Sequence, residues 1–319
     1  MTRTSVVTGG AGFIGSNLVH ALLARGDRVR VFDDLSTGRG VNLDDLGSDV
    51  ELMHGDVRDA DAVARAIEGA AVVFHQAAIP SVARSVVDPV SSNDVNVGGT
   101  LNVLVAARDA AVERVVYASS AAVYGNTDTL PLHEGMPTRP ASPYGVSKLA
   151  GERYLEAFTR TFGLPTVALR YLNVFGPRQN PRSEYAAAIP RFISCALGAE
   201  APTIFGDGEQ ARDFVFVDDV VQANLLAADA PEPAWGRAFN IGRGERRTVN
   251  ELLGAIRTLV PGTHPAPIHA PARAGEVRDS WSDIGAALDA LGDPPAVGFE
   301  EGLGRTIDWI ARERAADLR

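Results

Sequence analysis

Short apolar runs alternate with longer amphipathic stretches through the first half of the chain. Residues 4–8, 29–33, 72–75, 114–119 and 166–171 are rich in β-branched and apolar side chains and are separated by segments of helix length. Strands that are apolar on both faces must be covered on both faces, so the pattern predicts a parallel sheet between two helical layers. The expected fold is α/β, a Rossmann-type doubly wound parallel sheet. Beyond residue 171 the texture changes to loops rich in proline, arginine and glycine between Asn173 and Arg212. A smaller lobe is therefore expected to start near Asn173. Residues 214–217, 218–228 and 238–241 read as a further strand, helix and strand that return to the first sheet. The expected division is a first domain of residues 1–172, rejoined by about 213–241, interleaved with a smaller C-terminal lobe of residues 173–319. At the far end, Phe299, Leu303, Ile307 and Ile310 share one helical face over residues 299–314.

One helix is legible in detail. Ser142-Pro143 offers a capping side chain and a proline at the first helical position. Residues 144–162 then carry Leu149, Tyr154, Leu155, Phe158 and Phe162 before Gly163 and Pro165 stop the helix. Lys148, the only lysine in a chain that otherwise uses arginine, stands four residues after Tyr144. That spacing puts both heads on one face. Where a solvated charge suffices this chain uses a guanidinium, so the surviving ammonium marks a place that needs a compact, rotatable donor. The ammonium and the positive end of the helix both pull the Tyr144 phenol from its ordinary pKa of about 10 toward the working pH. Tyr144 is thus a candidate general base.

Gly9, Gly12 and Gly15 form a G-x-x-G-x-x-G turn directly after the first strand and at the mouth of a helix reaching Ala24. Such glycines let backbone approach a pyrophosphate whose charge the helix N-terminus stabilises. The second strand ends in Asp33-Asp34, where a carboxylate can accept from an adenosine ribose diol and repel a 2′-phosphate, favouring NAD over NADP. Gly55-Asp56-Val57 and His75-Gln76-Ala77-Ala78 end the next strands and are expected to line adenine and pyrophosphate. Taken alone, the glycines also suit any tight strand-to-helix turn; strand, turn, helix and acid together carry the dinucleotide reading.

Composition narrows the partners. A formal net charge of −10 argues against nucleic acid or an anionic membrane as the main partner, and no apolar run approaches the length of a membrane span. The one cysteine, Cys195, cannot close an intramolecular disulfide, and the N-terminus enters a strand at once, so a cytoplasmic location is expected. The histidines, His20, His54, His75, His133, His264 and His269, show no metal-ligand spacing, and no metal is expected.

Five motifs together resemble the extended short-chain dehydrogenase/reductase superfamily and, within it, the UDP-glucose 4-epimerase-like enzymes of nucleotide sugars. They are Thr8-Gly9-Gly10-Ala11-Gly12-Phe13-Ile14-Gly15, Ser119-Ser120-Ala121-Ala122-Val123-Tyr124-Gly125, Ser142-Pro143-Tyr144-Gly145-Val146-Ser147-Lys148, Arg170-Tyr171-Leu172-Asn173-Val174-Phe175-Gly176-Pro177-Arg178, and Arg212-Asp213-Phe214. The resemblance implies that Ser120 hydrogen-bonds the reacting hydroxyl, that Tyr144 is the base, and that Lys148 holds the nicotinamide ribose while lowering the tyrosine pKa. It implies cofactor contacts at Phe13, Ile14 and Asn96 besides the turn residues. Substrate contacts are implied at Ser81, Arg84, Asn173, Tyr185, Ile189, Arg191, Arg212, Arg273, Glu276 and Ser280, with Arg212 and Arg273 facing the diphosphate.

The activity so implied is NAD-dependent inversion at C4 of a UDP-sugar through a 4-keto intermediate. The sibling dehydratases carry an Asp-Glu pair right after the active-site hydroxyl residue, and the decarboxylases a glutamate; here Ala121 and Ala122 stand there. Ser280 is small where a bulky residue accompanies plain hexoses, which favours acceptance of UDP-N-acetylglucosamine besides UDP-glucose or UDP-galactose. UDP-glucuronate competes, because Arg84 or Arg191 could pair with its carboxylate. A net NAD-linked dehydrogenase or reductase, and a catalytically silent NAD-sensing regulator on the same fold, are the alternatives from other classes. A homodimer built on residues 144–162 and about 88–110 is implied as well.

Overall fold

The computed structural model describes residues 3–181, 188–272, 277–292 and 297–317. Its centre is a seven-stranded sheet, parallel throughout, containing β1 (Thr4–Thr8), β2 (Arg28–Asp33), β3 (Val50–His54), β4 (Val72–His75), β5 (Arg114–Ser120), β6 (Thr166–Tyr171) and the strand Arg237–Ile241. The chain winds outward from β1 in both directions: β2 and β3 lie on one side, β4, β5, β6 and Arg237–Ile241 on the other. Thr8 is in register with Phe32 on one side and with His75 on the other, so the crevice at the carboxyl ends opens where the winding direction reverses.

Both faces are covered, as continuously apolar strands require. Val7, Val31, Phe74, Val116 and Leu169 share a core with the helices α1 (Phe13–Ala24) and Val217–Asp229. Val6, Phe32, Val73, Val115 and Tyr117 face the helices Ala60–Ile67, Gly99–Asp109 and Pro143–Phe162. The last of these is capped as its sequence demands: Gly145 N–H donates to Ser142 Oγ at 3.1 Å, and Gly163 ends it with φ of 69°. Gly151 lets this helix sit close to β5, because a Cβ there would overlap the Tyr117 hydroxyl. That closeness puts Lys148 against the β5 backbone.

The chain beyond β6 departs from expectation in one respect. Phe214–Phe216 does not return to the central sheet; it pairs in parallel with Asn173–Phe175 in a separate two-stranded sheet, and only Arg237–Ile241 joins the main one. The reason is aromatic packing around Phe299. Phe175 meets Phe216 and Phe299 with ring centres 5.6 and 5.8 Å apart, and Phe214 stacks on Phe299 at 5.9 Å. Phe299 opens the C-terminal helix Phe299–Asp317, whose Leu303, Ile307 and Ile310 are buried with it.

Candidate active site

At the end of β1 the glycine turn is held too tightly for side chains. Gly9 has φ of 69° and a Cβ there would stand 2.6 Å from Ala77 N, while one on Gly15 would overlap the Gly9 carbonyl oxygen. The first turn of α1, with half-buried Phe13 and Ile14, has no side-chain cap on Gly12 and no acidic residue, which leaves its positive end for an anion. Asp33 is buried and accepts from Ala11 N at 2.9 Å through one oxygen and from Leu35 N at 2.8 Å through the other. Burial raises its pKa, and the two backbone donors work the other way. A carboxylate oxygen takes more than one donor, so the same group that ties the turn together can still accept from a ribose. Asp34 is exposed and accepts from Ser36, and Asp56 is bound by Arg58, which holds its carboxyl below the usual range. Val57 is buried beside Gly99, and Ala77 and Ala78 are half-buried along the turn after β4. This cradle fits a dinucleotide by its own stereochemistry: bare backbone at the turn, an uncapped helix end and a carboxylate at the next strand.

A buried polar chain connects the cradle to the Pro143–Phe162 helix. Thr100 Oγ1 gives its proton to Asn96 O at 2.6 Å and therefore accepts from His75 Nε2 at 2.9 Å. His75 Nδ1 then accepts from Thr8 Oγ1 at 2.7 Å. Burial holds the imidazole neutral, with its pKa lowered to about 3 and the Lys148 charge acting in the same direction. Asn96 lies in the π-helical turn Asp94–Gly98 and is buried. It accepts from Ile79 N at 2.8 Å and donates to Ile79 O at 3.3 Å and to Ser147 Oγ at 3.0 Å, and Ser147 donates to Tyr144 O at 2.8 Å. Both amide hydrogens of Asn96 are thus committed to protein. Asn96 thereby clamps the loop after β4 to the Tyr144 helix. His75 was legible as part of the segment expected to line adenine and pyrophosphate, Ser147 only as a member of the Ser142 to Lys148 motif, and Thr100 gave no signal.

Ser120 ends β5 and accepts from Ala122 N at 3.2 Å, and it faces Tyr144, whose backbone N–H is held by Ser85 Oγ at 3.0 Å. Lys148 is buried and donates to Ala118 O at 2.7 Å; its Nζ is 6.0 Å from the Tyr144 ring centre and 5.0 Å from that of Tyr117. Burial brings the Lys148 pKa down to about 7. The expected depression of the Tyr144 pKa is reversed here: burial raises it, and the hydrogen bond with Ser120 lowers it by less. Desolvation penalises the phenolate and the ammonium alike. Behind the three residues, Arg170 holds Glu152 through two hydrogen bonds of 2.9 and 2.7 Å, Ser119 donates to Glu152 at 2.5 Å, and Arg170 donates to Tyr124 at 2.8 Å.

Across the crevice, Asn173 is exposed, Ser81 accepts from Arg84 N at 3.1 Å as a helix cap, and Arg84 is half-buried. Arg212 donates to Ala211 O and Arg278 O at 2.8 and 2.7 Å and is bridged to Ser280, whose N–H donates to Ala211 O at 3.1 Å. Ile189 and Arg191 share the helix Ala188–Gly198, but only Arg191 is exposed. Ile189 is buried and packs into the core. Tyr185, Arg273 and Glu276 lie outside the described residues.

Comparison with known proteins accords with this geometry. The family model for the NAD dependent epimerase/dehydratase family matches residues 5–242. A UDP-glucose 4-epimerase of Mycolicibacterium smegmatis is 42% identical over 96% of this chain and 98% of its own length. Among solved structures, the UDP-N-acetylglucosamine 4-epimerase of Methanobrevibacter ruminantium M1, in complex with UDP-N-acetylmuramic acid, superposes with a TM-score of 0.93 at 37% identity, covering 98% of this chain and 99% of that one. The UDP-glucose 4-epimerase of Thermus thermophilus, in complex with NAD, gives 0.88 at 38% identity, covering 97% and 99%. With its glycine cradle, its Tyr144–Lys148 helix and a family match across both, this chain belongs to the NAD dependent epimerases and dehydratases.

Proposed function

We propose that the protein inverts C4 of a UDP-hexose, taking UDP-glucose and UDP-galactose and also a bulkier sugar such as UDP-N-acetylglucosamine. NAD, when bound, supplies a hydride acceptor and donor for the sugar C4. Tyr144 takes the proton of the 4-hydroxyl and returns it, Ser120 hydrogen-bonds that hydroxyl, and Lys148 supplies the charge that makes the phenolate accessible. The observation that carries the reading is Ser120 facing Tyr144 above a buried Lys148, with Ala121 and Ala122 next in sequence. Those alanines offer no acid or base for elimination or decarboxylation, so proton and hydride exchange at C4 is the chemistry left to this set.

Half-buried Ser280, bridged to Arg212, supports the wider sugar preference. The test is incubation of the holoenzyme with UDP-glucose, UDP-N-acetylglucosamine and UDP-glucuronate, reading C4 configuration by NMR and NADH by absorbance. Epimerisation without steady NADH accumulation is expected. Accumulating NADH assigns the protein to dehydrogenases, and turnover of UDP-glucuronate alone assigns the carboxylate to Arg84 or Arg191. In Ser280→Tyr, kcat/KM for the N-acetylated sugar should fall relative to the plain hexose; an unchanged ratio removes Ser280 from the pocket wall. The working unit we propose is a homodimer, since Val86, Val87 and Val90 are 63%, 81% and 68% exposed beside exposed Val146 and Tyr154 of the Pro143–Phe162 helix.

A further inference from the structure

Asp213 stands outside the residues to which a role has been given, yet three separated segments meet on it. Its carboxylate is fully buried and accepts from Arg243 N at 2.7 Å through Oδ1, and from Gly244 N at 3.1 Å, Ser282 N at 3.2 Å and Ser282 Oγ at 2.9 Å through Oδ2. Its backbone carbonyl accepts from Asn173 N at 3.0 Å. Room for the carboxylate is made by Gly242, where a Cβ would stand 2.5 Å from Asp213 Oδ2 and 2.6 Å from Ser282 Oγ.

All three substrate-side candidates within the described residues of this wall hang on that group. Asn173 is held by the Asp213 carbonyl, Arg212 precedes it in the chain, and Ser280 is two residues from Ser282 and bridged to Arg212. We infer that Asp213 is the positioning residue for the nucleotide-sugar side of the cleft, fixing Asn173, Arg212 and Ser280 relative to one another; this rests on the functional reading above. The chemistry requires a carboxylate. Every partner of its side chain is a donor, and only an ionised acid presents two oxygens that accept without bringing a proton of its own. An asparagine would turn its amide hydrogens against at least one backbone N–H, and no flip avoids this because both oxygens are engaged.

The test uses the holoenzyme, with UDP as the binding probe followed by calorimetry, together with KM and kcat on the UDP-hexose it epimerises and the NAD released on denaturation. Asp213→Asn is expected to weaken UDP roughly ten- to hundredfold and to raise KM in step, because misplaced binding groups lose affinity steeply. Over the same change kcat should move by no more than about threefold and bound NAD should stay constant, since the Ser120, Tyr144 and Lys148 set and the glycine cradle are held by other contacts. Folded Asp213→Asn protein that binds UDP within about twofold of wild type overturns the inference. So does a variant that loses kcat and NAD together with UDP affinity, which is the signature of general disruption. Should Asp213→Asn not fold, Ser282→Ala and Gly242→Ala decide: weaker UDP binding with NAD retained in both supports the role, and unchanged binding in both overturns it. Wild-type protein that binds no UDP defeats the functional reading itself, before any variant is made.

Discussion

Replacing Lys148 by methionine keeps an unbranched stem and deletes the charge. The ammonium is 6.0 Å from the centre of the Tyr144 ring. At an effective dielectric of about 20, a unit charge about 6 Å from a phenolate is worth about 3 kcal/mol, or about two pKa units. Burial has already moved Tyr144 upward, so removing the ammonium adds to an existing deficit and lowers the phenolate population about a hundredfold where Lys148 is charged, below about pH 7. The assay is the pH–rate profile of kcat on protein that retains its NAD. In Lys148→Met the ascending limb should shift about two units to higher pH, and activity lost at neutrality should return in part as pH rises. A limb within about half a unit of wild type would refute the reasoning, because the ammonium would then not be what ionises Tyr144. Lys148→Arg is the companion experiment. It restores the charge but brings five donors in a planar fork to a site where Ala118 O accepts from the present ammonium, and it should be severely impaired. Near-normal activity in that variant would remove the argument for a compact cation.

Further outcomes can be checked on the same protein. The Lys148 pKa is lowered from 10.5 to about 7, so between those values the unfolded chain binds more protons than the folded one and stability rises with pH; urea titrations of the NAD-free protein should show a rise of at most roughly 5 kcal/mol that is absent in Lys148→Met. Glu152→Gln leaves the buried Arg170 cation without its carboxylate and should cost about 3–5 kcal/mol, read as a lower urea midpoint at unchanged slope. Gly15→Ala forces a methyl into the Gly9 carbonyl and should strip most of the NAD from the purified protein, measured by absorbance after denaturation. Val87→Asp should convert a dimer to monomers in sedimentation, and a wild-type monomer at micromolar concentration would set the proposed assembly aside.

What was legible in the sequence was local. β1, β4 and β6 declared themselves because both faces are buried, and the Pro143–Phe162 helix did so because Ser142, Pro143 and Gly163 punctuate it. β3 was harder to bound: it is an edge strand whose Val-Glu-Leu-Met-His mixes polar and apolar residues with little burial. Phe214–Phe216 has the composition of a sheet strand, but which sheet it joins depends on Phe175 and Phe299, far away in the chain. Burial phase within the helix Ala188–Gly198 was likewise not legible, since two residues separate an exposed Arg191 from a buried Ile189. The sign of the Tyr144 shift was illegible for a different reason. Spacing reveals the neighbouring charge but not the desolvation that opposes it.

Two buried cations lie close together in this fold, and the contrast between them explains why one is a lysine. Arg170 is held by Glu152 in a bidentate pair, with Tyr124 as a further partner, and the carboxylate pushes its pKa above the ordinary value. It is a permanent charge, neutralised on the spot, and it fastens the Pro143–Phe162 helix to β6. Lys148, one turn earlier on that helix, has a backbone carbonyl for its partner, and burial alone brings its pKa down to about 7. An arginine could not be tuned to such a value, because its guanidinium stays protonated under any protein burial. A carboxylate beside Lys148 would restore the charge but would also repel a phenolate at Tyr144. Leaving the ammonium without an anionic partner makes it costly to hold, and the same cost leaves its field directed at the tyrosine.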